Sequence, residues 1–197
     1  MLRLLSLLPL AALLLAGCCA NNTCDCQDSQ ADALFLRFSA DTATAAGRGF
    51  RARDVAVVSV LRYPRDSVRS QAPHDSVALL RTAGPAGTLA RSGFDLVLNN
   101  NAPFPLATNR KLQSFRYVIL LPGGPRTAGP PYTPLPTFEV LDITTRGVFA
   151  PDACCTCYRN TGKSFALRKV PANAPASKTF YDVTETNQQP VVVELTK

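Results

Sequence analysis

Alternating apolar and polar positions, rather than helical stripes, organise this chain. Ala33–Ser39 places Leu34, Leu36 and Phe38 on one face and Phe35 and Arg37 on the other, the period of a strand. Asp54–Tyr63 is apolar on both faces, with Val55, Val57, Leu61 and Tyr63 against Ala56, Val58, Val60 and Arg62. That pattern predicts a strand inside a sheet, stopped at Pro64. Ser76–Arg81 and Gly93–Asn100 follow. In the second, Phe94, Leu96 and Leu98 point inward while Asp95 and Asn99 point out. Ser114–Pro122 is a further central candidate, with Phe115, Tyr117, Ile119 and Leu121 on one face. Pro-rich Gly123–Pro136 cannot pair, because proline lacks the amide donor. Strands resume at Thr137–Thr145, at "CTCYRN" (155–160), at "KSFALRKV" (163–170) and at "QPVVVELTK" (189–197).

Eight or nine short strands separated by turn residues predict one all-β domain. Its expected form is a β-sandwich of immunoglobulin or fibronectin type, with a lipocalin-like up-and-down barrel as the alternative. Sixteen prolines, eleven glycines and the absence of Trp fit either, although the Gly-x-Trp marker of lipocalins cannot occur. No internal repeat is visible.

The first residues follow different rules. Arg3 precedes an apolar run from Leu4 to Ala16, broken only by Ser6 and Pro9. A charged start and a short apolar stretch are the layout of a secretory signal. The run falls short of the roughly 20 residues that span a bilayer. Leu15-Ala16-Gly17-Cys18 then resembles the bacterial lipobox. The resemblance implies a signal peptide over 1–17, cleavage after Gly17, diacylglycerol on the Cys18 sulfur, and a palmitate-type chain on the new amine. Multiple acyl chains make a stable membrane anchor. Residues 18–32, rich in Asn, Asp and Ser, read as a lipidated tether, and 33–197 as the domain. Cys19 rather than Asp follows Cys18, which in the enterobacterial pattern points to the outer membrane. The layout as a whole resembles small all-β lipoproteins of the Bacteroidota. In that group, O-glycosylation occurs at Asp-Ser/Thr followed by a small or aliphatic residue. Asp41-Thr42-Ala43, Asp66-Ser67-Val68 and Asp75-Ser76-Val77 match.

Charge and cysteine refine this picture. Without Arg3, 20 basic residues face 14 acidic ones, and 15 of the 20 are Arg. Arg48, Arg51, Arg53, Arg62, Arg65 and Arg69 form a mild concentration, read as a solvated basic surface with some attraction for anionic lipid or acidic glycan. No aromatic-basic motif of a nucleic-acid binder is present. The seven cysteines fall into two clusters, Cys18, Cys19, Cys24, Cys26 and Cys154, Cys155, Cys157. With Cys18 lipidated, six thiols remain in a compartment that permits oxidation, and six cysteines admit 15 pairings. Bonds between clusters are favoured, since adjacent cysteines are strained and i,i+2 cysteines on one strand lie at the edge of disulfide reach. The alternative is a thiolate metal or redox site built from Cys24, Cys26, Cys155 and Cys157, although Cys-x-Cys is tighter than the usual zinc spacing.

Catalytic signatures are missing. His74 is the sole histidine. It adjoins Asp75 and Ser76, whereas a triad converges from distant parts of a chain, so a solvated turn histidine is expected. One histidine is too few for a multi-histidine metal site, and Cys-x-x-Cys-His for haem attachment does not occur. Of the glutamates, Glu139 and Glu194 read as outward strand positions, leaving Glu185. No cofactor is expected. The sequence therefore predicts a membrane-anchored envelope lipoprotein whose domain is a non-catalytic binding or structural module, with an envelope protein or glycan as partner and no nucleic acid. A thiol-based metal-binding or redox accessory protein is the alternative.

Overall fold

The structure, a computed structural model, describes residues 24, 26, 28–39, 49–67, 74–80, 95–105, 111–122, 135–152, 154–171, 174–186 and 189–197. One helical turn, α1 (Asp28–Ala31), precedes nine strands. They are β1 (Leu34–Phe38), β2 (Val57–Pro64), β3 (Asp75–Leu80), β4 (Asp95–Leu98), β5 (Phe115–Leu120), β6 (Thr137–Asp152), β7 (Cys155–Val170), β8 (Ser177–Asp182) and β9 (Val192–Leu195). A three-stranded sheet has the order β4-β1-β9, and a six-stranded sheet the order β3-β2-β5-β6-β7-β8. All neighbours are antiparallel except β1 and β9, which run parallel with Phe35 opposite Val192. The fold is thus an all-β sandwich of two sheets. No ladder joins them among the described residues, which sets aside the closed barrel.

The core is the dry space between the sheets. Leu34, Leu36 and Phe38 of β1, with Leu96, Leu98, Val193 and Leu195, face Val58, Val60, Tyr117, Ile119, Phe138, Val140, Phe165 and Leu167. This is the alternation expected of β1 and β5. Phe50 sits between the sheets, edge-on to Phe38 at 5.4 Å and to Phe138 at 6.3 Å. Such offset geometries suit the charge distribution of aromatic rings. β2 is central, between β3 and β5. It begins later than expected, because residues 52–54 form a 3-10 turn instead of strand.

Arg62 corrects the charge reading. It shares the inward face of β2 with Val58 and Val60 and is 6% exposed. Its guanidinium stacks 4.5 Å from the Phe104 ring centre and 4.6 Å from that of Phe115. Nε and Nη2 donate to the Asp75 carboxylate at 3.0 and 2.5 Å. A planar, weakly hydrated cation tolerates such a slot where a lysine would not. It closes one end of the core, and burial beside it pushes the Tyr117 phenol well above its ordinary range, an effect the Arg62 charge only partly offsets. Arg51, Arg53 and Arg65 are exposed or nearly so, while Arg48 and Arg69 lie outside the described residues.

Three further strand expectations change. β6 runs to Asp152 rather than ending near Thr145, and 155–160 and 163–170 are one continuous strand, β7. β8 was not legible, because Lys178, Thr179 and Phe180 are all exposed and give no inward face. Because Phe138 is fully buried among residues of both sheets, Phe138→Ala is expected to lower stability by about 3–5 kcal/mol, read as a lower urea midpoint at unchanged slope.

Candidate functional site

β6 and β7 are each 16 residues long, yet their other neighbours cover only the base of the pair. β5 meets β6 at Phe138–Val140, and β8 meets β7 at Ser164–Lys169. From Arg146 to Asp152 the hairpin therefore projects past the sheet by about 23 Å, at roughly 3.3 Å per residue. Two bulges mark its departure. β6 carries an extra residue between Leu141 and Thr144, where Asp142 adopts φ 52°, and β7 carries one between Asn160 and Gly162. Bulges bend a strand and sharpen its twist, so they re-aim the projecting half. Asp142 suits the left-handed conformation, which short polar side chains tolerate, and its carboxylate accepts from Lys178 Nζ at 2.8 Å.

Gly147 supplies the third local device. A Cβ there would overlap the Tyr158 ring and the Arg159 carbonyl, so only glycine lets Tyr158 lie across the ribbon. Tyr158 donates its hydroxyl to Asp32 at 3.3 Å and stacks edge-on to Phe149 at 5.4 Å. Val148 and Phe149 remain 53% and 70% exposed.

The N-terminal segment is laid along this hairpin. Cys24 is bonded to Cys155 and Cys26 to Cys157, with Cα separations of 5.7 and 5.3 Å. Both pairs are 131 residues apart, so the two segments run in the same direction. The bonds cross between clusters, as the spacing favours. Closing a loop of this length removes about 5 kcal/mol of chain entropy from the unfolded state. Asp32, the last residue of the expected tether, is buried and also accepts from Asn160 Nδ2 at 3.3 Å. One turn further, Lys163 is 2% exposed. Its ammonium donates to the carbonyls of Ala31 at 3.0 Å and Ala33 at 2.8 Å and to Glu185 Oε1 at 2.8 Å. An ammonium has three protons, and each has an acceptor. Lys163 therefore grips the chain where it turns from β7 toward β1.

The remaining candidates take structural places. Cys154 is also disulfide-bonded, its partner lying outside the described residues, as do Cys18 and Cys19. A sulfur in a disulfide has no thiolate to offer a metal. Among the described residues no group of three or more His, Cys, Asp or Glu is arranged to hold one. His74 is exposed and stacked 4.8 Å from Tyr63, while Asp75 is turned to Arg62 and Ser76 is exposed on β3. Glu139 is a correction: it faces away from the core but is 7% exposed, covered by Arg168 at 3.2 Å. Glu185 belongs to Lys163, and Glu194 is exposed. An open depression of about 690 Å³ is lined by Arg65, Asp66, Ser67, Gln113 and Thr144 among others. Of the Asp-Ser/Thr motifs, 41–43 lies outside the described residues. Ser67 donates to the Pro64 carbonyl at 2.6 Å, and the Ser76 hydroxyl faces solvent. No helix among the described residues is long and apolar enough to cross a membrane.

No family model, curated protein or solved structure matches the chain.

Two outcomes follow from the fastening. Lys163→Met strands two buried carbonyls and the Glu185 carboxylate, and is expected to destabilise the fold by about 3–5 kcal/mol in denaturant melts. The Tyr158 phenol is held above the ordinary value of 10.0, first by burial, then by the Asp32 charge and the hydrogen bond to it. Stability from this contact is present below that value and declines as pH rises past it, because the folded state holds the proton longer. Asp32→Asn removes the charge. Ultraviolet titration should then show one tyrosine ionising at lower pH than in the parent protein.

Proposed function

We propose that this protein is a lipid-anchored lipoprotein of the bacterial cell envelope, carried by the outer membrane through Cys18. Its sandwich serves there as a non-catalytic binding or structural module. The observation that carries the reading is the pair of disulfides Cys24–Cys155 and Cys26–Cys157. They start the folded body six residues after the lipobox cysteine and attach it to the hairpin rather than leave it on a free arm. Durable disulfides belong to oxidising compartments, which agrees with an exported chain. Strain on an anchored Cys18 passes through sulfur bonds into β7, and from there through Lys163 into the body.

The module role rests on where the polar chemistry sits. Buried Arg62, Glu139 and Lys163 are each engaged with a partner inside the fold. Exposed apolar groups occur instead on the distal hairpin, at Val148 and Phe149, and on strands at the two margins of the larger sheet, Leu80 on β3 and Phe180 on β8, at 83% and 71% exposure. Sheet margins with open backbone groups accept strands of other proteins, so an envelope protein is the favoured partner, with a glycan as the other.

Cys154 offers a sharp test. Cys154 is disulfide-bonded, and with Cys24, Cys26, Cys155 and Cys157 paired with one another, Cys18 and Cys19 are the cysteines of the sequence left to account for. A lipidated sulfur is a thioether and cannot also form a disulfide, so the reading requires Cys19–Cys154. Peptide mapping of the native protein should find that bond together with diacylglycerol on Cys18. Radiolabelled palmitate should enter the protein, and Cys18→Ser should leave the membrane fraction. A Cys18–Cys154 disulfide overturns the reading.

A further inference from the structure

We propose that the tip of the β6–β7 hairpin rests on the lipid surface, with Phe149 and Val148 entering the headgroup boundary. The inference rests on the lipid anchor at Cys18 and adds where the body touches the bilayer.

Reach comes first. Cys24 is six positions after Cys18, a span of at most about 22 Å. Cys24 is bonded to Cys155, the first residue of β7 at the hairpin tip. The anchored end and the tip are therefore held close together, while the sandwich lies at the other end of the ribbon. Phe180, opposite Ala166, is eleven residues along β7 from Cys155, about 35 Å away.

The tip's chemistry suits this position. Val148-Phe149-Ala150-Pro151 is a run of four apolar residues in a hairpin with no core beneath it. Such a run on a surface has a use or is a liability. Val148 stands opposite Arg159, and Phe149 opposite Tyr158. The two apolar side chains thus occupy opposite faces, three and four residues short of the ladder's end at Asp152, which suits contact along the β6 edge of the distal ribbon rather than through one flat face. Asp152 pairs with Arg159 at 3.2 Å, so the nearest carboxylate on the hairpin is neutralised. Tyr158, an aromatic ring with a polar end, is the residue type enriched at membrane boundaries. Depth is limited to that boundary, because the outer edge of distal β6 has no strand neighbour among the described residues, and unpaired amides are not tolerated in hydrocarbon. One aromatic could not hold a free protein on a bilayer. Beside an anchor the contact is intramolecular, and its effective concentration is high.

The chain has no tryptophan, so one introduced residue is a clean reporter. Full-length lipidated Phe149→Trp, with Val148→Trp as a second reporter and Phe180→Trp as the distant comparison, is reconstituted in phosphatidylethanolamine–phosphatidylglycerol vesicles with or without brominated acyl chains. The expected result is blue-shifted emission and strong bromine quenching at the two tip positions, and neither at Phe180→Trp. Emission at the tip that stays solvent-like, or is blue-shifted without bromine quenching because a second copy covers it, overturns the proposal. Mass spectrometry of the same sample reads the lipid on Cys18. Lipid present without quenching defeats the tip contact alone, whereas absence of lipid defeats the anchor and the tip contact with it.

Discussion

Covalent closure between residues 24–26 and 155–157 governs where the early chain can go. Once Cys24 and Cys26 are bonded to β7, the following residues must travel beside that strand, and the rest of the path uses groups already in reach. Tyr158 and Asn160 hold Asp32, and Lys163 takes the carbonyls on either side of it. The chain then leaves the larger sheet and becomes β1, the middle strand of the smaller one. Lys163 thus sits at a joint between layers: its own strand is in one sheet, the carbonyls it binds lead into the other, and Glu185 comes from the segment after β8. A buried cation is tolerable there because every proton is accepted and a carboxylate is adjacent.

Arg62 performs the corresponding task at the β2–β5 end. It fills a gap bounded by Phe104 and Phe115 and sends its charge outward to Asp75, which is more than half exposed. The two buried cations differ as their side chains differ. The flat guanidinium stacks and bonds sideways, while the ammonium is a point source for two carbonyl oxygens and one carboxylate oxygen.

Much of the sandwich was legible where one face is apolar. Leu34, Leu36 and Phe38 lie on the core side of β1 as their spacing requires, and Phe115, Tyr117 and Ile119 do so on β5. Arg62 and Lys163 carried a usable signal. Arg62 is in phase with Val58 and Val60, and Lys163 with Phe165 and Leu167, so a charge at an inward position of a strand was visible without its meaning being drawn. The long hairpin was obscured by Gly147 and Pro151, which ordinarily punctuate strands. Here Gly147 makes room for the Tyr158 ring, and Pro151 lies on distal β6, whose outer edge has no strand neighbour among the described residues. β8 left no pattern, since its neighbour β7 supplies the pairing while most of its own side chains are exposed. The crossing of the cysteine clusters followed from spacing, but their order along β7 required coordinates.

The parallel pairing of β1 with β9 has a consequence for assembly. The first strand has β4 on one side and the last strand on the other, with Phe35 aligned to Val192. No partial chain emerging from a ribosome or translocon contains that second neighbour until Val192–Leu195 have been added, more than 150 positions after β1. Contacts this distant in sequence make folding slow. The small sheet is therefore completed only once β9 has been made, and until then β1 lacks one of its two neighbours.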